Sequence, residues 1–141
     1  MRPVRLFGLG MLDVACAIIE RQSLVLAAQR SASGEQALKW ELPGGKVRPG
    51  ESGEQCILRE IREELDVGLE ILARLPPFAY EEAARPVCLI PFVCRVSSGV
   101  VRVLEHNRVL WLARGELMHL DWCPADVPVL RFYLHRYRTC F

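Results

Sequence analysis

A helix with many acids, directly preceded by a glycine turn, is the feature that most limits how this chain can fold. Ser52 and Gln55 have the spacing of a capping box, so a helix is predicted over about residues 53–65. At 100° per residue, its apolar side chains share an arc of about 100°. They are Ile57, Leu58, Ile61 and Leu65. Other elements must therefore cover one side of this helix.

Two carboxylates of the helix stand beside this apolar stripe without a basic neighbour. Glu60 and Glu64 are one turn apart, and no residue three or four positions from either is a base. Like charges at this spacing cost a helix about 0.2–0.5 kcal/mol. A solvated acidic face is the simplest interpretation of such a pattern, but the position next to the core favours an external cation. Oxygen ligands without His or Cys suit Mg²⁺ or Mn²⁺.

The loop before the helix carries groups that suit a phosphate. The glycines of Gly44-Gly45-Lys46 allow a backbone carbonyl to approach a metal, or backbone amides to approach a phosphate, with a lysine beside them. A Gly-Gly pair alone is most often only a turn. Joined to the acidic helix, it predicts a site for a metal and a phosphate.

The rest of the chain is dominated by predicted strands. They cover residues 12–20, 23–29, 40–42, 69–75, 87–96, 100–104 and 109–112, and a second helix is predicted over 127–137. A hairpin at Arg21-Gln22 joins the first two strands, and 97–99 forms a turn before 100–104. The chain has 141 residues, so we expect one α/β domain over 1–141, with a mixed sheet covered by helices.

Composition argues against several other classes of protein. Hydrophobic residues make up 51% and charged residues 25%, which predicts a packed core. A net charge of +1 leaves no overall basic surface for a nucleic acid. No apolar run is long enough to cross a membrane, and Asp13 interrupts the only stretch that imitates a signal peptide. The six cysteines form no C-x-x-C pair, so reduced thiols in a cytoplasm are expected.

The segment from Gly45 to Val67 resembles the Nudix box. In this chain the motif is Gly45-x5-Glu51-x7-Arg59-Glu60-Ile61-x-Glu63-Glu64-x-Asp66-Val67. It is similar to G-x5-E-x7-R-E-U-x-E-E-x-G-U, with U aliphatic, at every defined position but one. Asp66 replaces a glycine, and aspartate tolerates the left-handed backbone expected where the helix ends. Residues 29–30, 40–46, 105 and 124–128 also resemble the MutT-type nucleotide hydrolases.

This resemblance implies a Nudix fold, which is an α/β/α sandwich with a mixed sheet, and Mg²⁺-dependent hydrolysis of a nucleotide. Arg59 would hold the box through salt bridges to acids such as Glu51. Glu105 would serve as a metal ligand or as the general base, with an ordinary exposed acid as the alternative. The groups implied to bind the metal are the Gly44 carbonyl, Glu60, Glu63, Glu64 and Glu105.

Substrate contacts also follow from the resemblance. Arg30, Lys46 and Arg48 would hold phosphate oxygens. Asp126 and Glu35 stand where the strict 8-oxo-dGTP enzyme has asparagine and histidine, and they look more like the bacterial CTP pyrophosphohydrolase subgroup. An ionised Asp126 suits the N4 amino group of cytosine, although it could instead cap the last helix. The implied substrate-binding residues are Arg30, Glu35, Leu42, Pro43, Gly44, Gly45, Lys46 and Asp126.

The predicted function is therefore release of a monophosphate and pyrophosphate from modified or oxidised nucleoside triphosphates, such as (d)CTP derivatives, in nucleotide-pool sanitation. A strict 8-oxo-dGTP diphosphatase is the first alternative. A non-catalytic nucleotide-binding sensor is the second, although such a protein would usually lack a helix carboxylate, and none is missing here. We expect a cytoplasmic monomer or weak homodimer without a nucleic-acid or membrane partner.

Overall fold

A long strand near the N-terminus runs through the middle of an eight-stranded sheet. The computed structural model describes residues 10–82 and 85–138. The strands are β1 (Leu12–Arg21), β2 (Leu24–Gln29), β3 (Trp40–Glu41), β4 (Gly44–Lys46), β5 (Gly68–Arg74), β6 (Phe78–Glu82), β7 (Arg85–Ser98) and β8 (Arg108–Ala113). The helices are α1 (Gly53–Leu65), α2 (Asp126–Arg138) and a short 3-10 helix, Arg114–His119.

The sheet is mixed, as predicted. β1 and β7 run parallel, from Leu12 opposite Val87 to Ile19 opposite Cys94. The other strand pairs are antiparallel: β1 with β2 and β4, β2 with β3 and β8, and β7 with β5 and β6. After the predicted hairpin, β2 leaves β1, and β4 pairs with residues 14–16 of β1 instead. The short glycine strand thereby lies against the centre of the sheet.

The two faces of β1 build separate cores, because successive strand residues point to opposite sides. One core joins Ala15, Ala17 and Ile19 of β1 to Ile57, Ile61 and Leu65 of α1. The other joins Cys16 and Ile18 to Val129, Leu130 and Tyr133 of α2. One helix covers each face, which confirms the predicted α/β/α sandwich.

Helix α1 begins and ends where the sequence predicts. Ser52 and Gln55 make both hydrogen bonds of the capping box, and Asp66 adopts the left-handed conformation, with φ 57° and ψ 39°. The buried stripe differs from the prediction, because Leu58 is 41% exposed while Cys56 and Glu64 are buried. The stripe is thus rotated towards Cys56, and this rotation turns Glu64 into the protein.

The strand predicted over 100–104 is wrong. Residues 99–107 form a loop, and Val100 is 80% exposed. The amides of Arg102 and Leu104 donate to the carbonyl oxygens of Leu65 and Glu64, at 2.9 and 3.1 Å. These carbonyls have no partner within a helix that ends there, so the loop satisfies them in place of a strand ladder. The predicted turn at 97–99 is likewise part of β7 and this loop.

Sequence patterns also missed two strands, β4 and β6. β4 consists largely of glycine, and β6 follows Pro76-Pro77 and ends in acids.

No helix in the described part of the chain is long and apolar enough to cross a membrane. Five of the cysteines are buried free thiols, whereas Cys140 lies outside the described residues.

Candidate active site

The two glycines of β4 are packed so closely that a side chain at either position would meet another group. Gly44 has a φ of 156°, and a methyl group there would overlap the carbonyl oxygen of Ala15. A methyl group on Gly45 would overlap the carboxyl group of Glu60. Gly44 is therefore required by the close approach of the β1 backbone, whereas the backbone of Gly45 forms a seat for Glu60, which a side chain at this position would displace.

Arg59 braces the outer side of α1. Its Nε and Nη2 donate to the two carboxylate oxygens of Glu51 at 2.7 and 2.9 Å, a two-point ion pair. Its Nη1 lies 3.3 Å from Glu63 and donates to Glu60 at 2.8 Å. The hydrogen bonds from Arg59 and from the Arg48 amide lower the pKa of Glu51 to about 2.

The contact with Arg59 corrects the expectation that Glu60 has no basic partner. That expectation considered only residues three and four positions away, which are the usual neighbours on a helix surface. Arg59 is adjacent in sequence, but its long side chain bends back along the helix towards Glu51 and reaches Glu60 on the way. Only Glu64 keeps the uncompensated character predicted for the pair.

An acidic cavity of about 240 Å³ opens beside α1. Four of the five groups expected to bind a metal line it, namely Gly44, Glu60, Glu64 and Glu105. The structure does not bring Glu63 into this cavity. Its side chain is partly exposed and lies near Arg59 and Arg48, at 3.3 and 3.9 Å. The remaining lining residues are Arg30, Ser31, Glu41 and His106.

Glu64 is the most strongly perturbed acid of the cavity. It is 3% exposed. Burial raises its pKa to about 10, and the hydrogen bond and charge of Glu60 add to this, followed by the charges of Glu41 and Glu105. A carboxyl group in such a place either stays protonated or is ionised by a nearby cation. The cavity therefore has the electrostatic character of a cation site.

The oxygen donors of this cavity fit a hard divalent cation, but they do not enclose one. Within residues 10–82 and 85–138, no three His, Cys, Asp or Glu side chains form a ligand set by themselves. A complete shell would need the Gly44 carbonyl and oxygens supplied by a ligand. Mg²⁺ is commonly bound in this way, through one or two carboxylates plus substrate phosphates.

Glu105 reaches the cavity because its loop is fastened on both sides. Leu104 donates its amide to the Glu64 carbonyl, and Asn107 donates its amide to the Gln29 carbonyl at 2.9 Å. Glu105 itself is exposed to solvent while lining the cavity. Its placement thus allows both roles considered from the sequence.

A larger cavity of about 450 Å³ adjoins the acidic one and shares Arg30, Glu41 and Gly44 with it. Its volume is within the range of small-molecule sites. Among the expected substrate-binding residues, Glu35, Leu42, Gly45, Lys46 and Asp126 also line it. Pro43 does not, and its carbonyl instead accepts the Ala17 amide at 2.9 Å. Arg48 lines neither cavity.

Two charged groups of the larger cavity are held in place. Arg30 donates through Nη1 to Glu41 at 2.8 Å and through Nε to the Glu35 carbonyl at 3.1 Å. Asp126 is the first residue of α2 and is 6% exposed. Its carboxylate is therefore presented to the cavity from the protein interior, beside the apolar wall formed by Val14, Cys16 and Leu89 of β1 and β7.

Glu41 and His106 are site residues that sequence reasoning did not select. Glu41 lies directly before the Leu42-Pro43-Gly44 segment, and His106 directly follows Glu105. Their side chains meet, with 2.8 Å between His106 Nε2 and Glu41 Oε2. The signals in the sequence were the resemblance of residues 40–46, which include Glu41, and the position of His106 next to Glu105, since neither residue belongs to the box.

Comparison with known proteins agrees with this geometry. Residues 11–137 match the model of the NUDIX domain family. The chain therefore belongs to the Nudix hydrolase family, as its box predicts. Nudix hydrolases generally use divalent metal ions.

Two relatives whose names describe nucleotide hydrolysis are matched over most of their length. It is 35% identical to the CTP pyrophosphohydrolase of Escherichia coli K12 over 124 residues, which are 88% of this chain and 92% of the relative. It is 36% identical to the putative 8-oxo-dGTP diphosphatase 2 of Mycobacterium tuberculosis H37Rv over 119 residues, 84% of each chain. The solution structure of the E. coli ORF135 protein is similar to it, with a TM-score of 0.81, 33% identity and 94% coverage of both chains.

Proposed function

We propose that this chain is a Mg²⁺-dependent nucleoside triphosphate pyrophosphohydrolase that acts on modified or oxidised (d)NTPs, such as (d)CTP derivatives. The observation that carries the proposal is the pair of adjoining cavities that share Gly44. The small cavity has the carboxylates to bind a metal, and the metal would bind the triphosphate. The larger cavity has the volume and the mixed polar and apolar lining for a nucleoside. Mn²⁺ would fit the same oxygen donors.

In this proposal each residue has a defined task. The Gly44 carbonyl, Glu60 and Glu64 would hold the cation, which would offset the charge of the triphosphate and acidify the attacking water. Glu105 accepts the proton of that water, and Arg59 keeps Glu60 oriented through their 2.8 Å contact. Arg30, which lines both cavities, and Lys46, which lines the larger one, hold phosphate oxygens. Glu63 contributes through Arg59, since its side chain lies outside the acidic cavity.

Asp126 selects the base in this proposal. An ionised carboxylate only accepts hydrogen bonds, so it suits the N4 amino group of a cytosine. Its position supports the assignment, because it is 6% exposed and lines the larger cavity. The name of the E. coli relative, CTP pyrophosphohydrolase, favours the same base. The name of the mycobacterial relative supports an 8-oxo-dGTP diphosphatase as the second candidate.

Pyrophosphate release from a panel of free nucleotides tests this function. CTP, dCTP, a modified dCTP, dGTP and 8-oxo-dGTP are each incubated with Mg²⁺ and with EDTA. We expect Mg²⁺-dependent release, fastest with a cytidine derivative. In ¹⁸O-labelled water the products should be monophosphate and pyrophosphate, because the linkage between the α- and β-phosphates is the one that breaks. Binding without release from any nucleotide would indicate the sensor, and orthophosphate as main product would contradict the cleavage position.

The proposal extends to the state of the protein. We infer one Nudix domain over residues 1–141 that works in the cytoplasm on free nucleotides as a monomer or weak homodimer. Support comes from the family match, which covers residues 11–137. Sedimentation over a concentration series would test the oligomeric state, and a stable tetramer would contradict it.

A further inference from the structure

The side chain of His106 is buried and lines the acidic cavity. Its side chain is 6% exposed, and its Nε2 lies 2.8 Å from Glu41 Oε2 and 3.7 Å from Glu64 Oε1. Its Nδ1 is also buried and has no hydrogen-bond partner among the described residues. Because carboxylate oxygens accept hydrogen bonds, Nε2 must be the nitrogen that carries the proton in this contact. The ring therefore acts on the site through one atom.

The backbone holds this ring in a fixed place. Two positions before His106, the Leu104 amide donates a hydrogen bond to the Glu64 carbonyl in the last turn of α1. Directly after it, Asn107 donates its amide to the Gln29 carbonyl and its Nδ2 to Gln29 Oε1, at 2.9 and 2.7 Å. The same loop therefore contacts the acidic helix and the strand that leads to Arg30. A rigid support of this kind is what a positioning residue needs.

The contacts of His106 continue into the larger cavity. Glu41 receives Nε2 of His106 on Oε2 and Nη1 of Arg30 on Oε1, both at 2.8 Å. A chain of contacts thus runs from Arg30 through Glu41 and His106 to Glu64. Neither His106 nor Glu41 belongs to the Nudix box, and nothing in the mechanism proposed above uses this chain.

We propose that His106 is a positioning residue that fixes Glu41 and Glu64 relative to each other, so that the nucleoside cavity and the metal cavity are aligned. This inference rests on the proposed function. Without the Nε2–H group, Glu41 would lose its 2.8 Å hydrogen bond while keeping the one from Arg30, and the ring nitrogen 3.7 Å from Glu64 Oε1 would be absent. Both carboxylates would then sample other rotamers, which should weaken metal binding and slow turnover.

Two substitutions of similar polarity separate this role from simple packing. In His106→Gln the amide nitrogen can reach the place of Nε2, whereas in His106→Asn it reaches only the place of Nδ1. Mn²⁺ binding without nucleotide, followed by electron paramagnetic resonance, and kcat and KM with the preferred nucleotide are measured for both. We expect His106→Asn to weaken Mn²⁺ binding about 10- to 100-fold and to lower kcat more than it raises KM. His106→Gln should stay within about threefold of wild type.

The matched control is His119→Gln, which changes a 70% exposed histidine of the 3-10 helix and should alter neither reading. Melting temperatures of all variants are measured, and assays are run well below the lowest of them. Equal Mn²⁺ affinities in the Asn and Gln variants, or losses that follow melting temperature alone, would overturn the positioning role. Absence of pyrophosphate release from wild type would refute the proposed function instead, and the Mn²⁺ titrations would still decide the role of His106.

Discussion

The two sides of helix α1 treat their carboxylates in opposite ways. On the outer side, Glu51 and Glu63 contact Arg59, and the hydrogen bond to Arg59 lowers the pKa of Glu51 to about 2. On the inner side, burial and neighbouring acids raise the pKa of Glu64 to about 10. All three acids belong to the same short motif, so the number of acids in the motif does not show which of them are paired and which is buried.

This difference separates the acids that stabilise the fold from the acid that is available to bind a cation. The outer acids already have a cation, the guanidinium of Arg59, so they hold the loop before α1 against the helix. Glu64 has no arginine or lysine in an ion pair among the described residues, and its ionised form requires a cation from outside. Glu60 stands between the groups, since it contacts Arg59 and also faces the acidic cavity.

The largest expected effect comes from removing the inner charge. Glu64→Gln should lower kcat by about 100-fold or more, because a ligand of the catalytic cation is lost. In EDTA its melting temperature should equal or exceed that of wild type, since burial and the neighbouring acids disfavour the charged form of Glu64. The stabilisation that Mg²⁺ gives the wild type should disappear. Steady-state kinetics and thermal unfolding with and without Mg²⁺ measure these effects.

Glu63→Gln is the matched control on the outer side of the same helix. Because Glu63 lies outside the acidic cavity and shares Arg59 with two other acids, its loss should leave Mg²⁺-dependent stabilisation intact. Similar losses of that stabilisation in both variants would contradict the division of the helix into two sides.

A smaller loss is expected when Glu60 is displaced without being changed. A methyl group on Gly45 would overlap the Glu60 carboxyl, which must then move away from its seat. Gly45→Ala should reduce kcat/KM by about 10- to 100-fold, in keeping with the cost of misplacing a catalytic group. The control is Gly115→Ala, where no atom lies within 4 Å of the added carbon. Wild-type activity of Gly45→Ala would show that Glu60 tolerates another position.

The box itself was readable from the sequence because its spacing is local. The capping box, the left-handed Asp66 and the pairing of Arg59 with Glu63 all depend on residues within one or two helical turns. The burial of Glu64 was only partly predictable, because the stripe of α1 is set by the sheet against which it packs. For the same reason the sequence wrongly predicted Leu58 to lie in the core.

The second half of the site depends on contacts that are distant in sequence. His106 and Glu41 are 65 residues apart, and no periodicity links them. Residues 100–104 are rich in valine like a strand, yet the amides of this loop bond to the end of α1. Such loops take their shape from partners elsewhere in the fold, so local patterns predict the wrong element.

A change of selectivity, rather than of overall rate, is expected at Asp126. If its carboxylate reads an amino group, Asp126→Ala leaves that group unpaired, at a cost of roughly 1–3 kcal/mol, or about 5- to 150-fold in kcat/KM. Asp126→Asn should lose less, because its carbonyl can still accept. The measurement is the ratio of kcat/KM for a modified dCTP over 8-oxo-dGTP in all three proteins. An unchanged ratio would leave Asp126 as a helix cap, worth about 1 kcal/mol of stability for every substrate alike.

The smallest effect is expected on the outer side, where the ion pair is only partly buried and contributes little. Arg59 and the Arg48 amide lower the pKa of Glu51 from 4.5 to about 2 in the folded protein. Because the folded pKa is the lower one, this pair stabilises the fold above about pH 4.5, and the contribution disappears as pH falls to about 2. Glu51→Gln should therefore show a shallower fall in melting temperature across that window. The control is Glu54→Gln, which removes an exposed acid of the same helix that lies 3.6 Å from Arg74. If the melting temperatures of Glu51→Gln and wild type fall in parallel below pH 4.5, Arg59 does not pair with Glu51 in solution. The outer side of α1 would then not stabilise the loop before the helix.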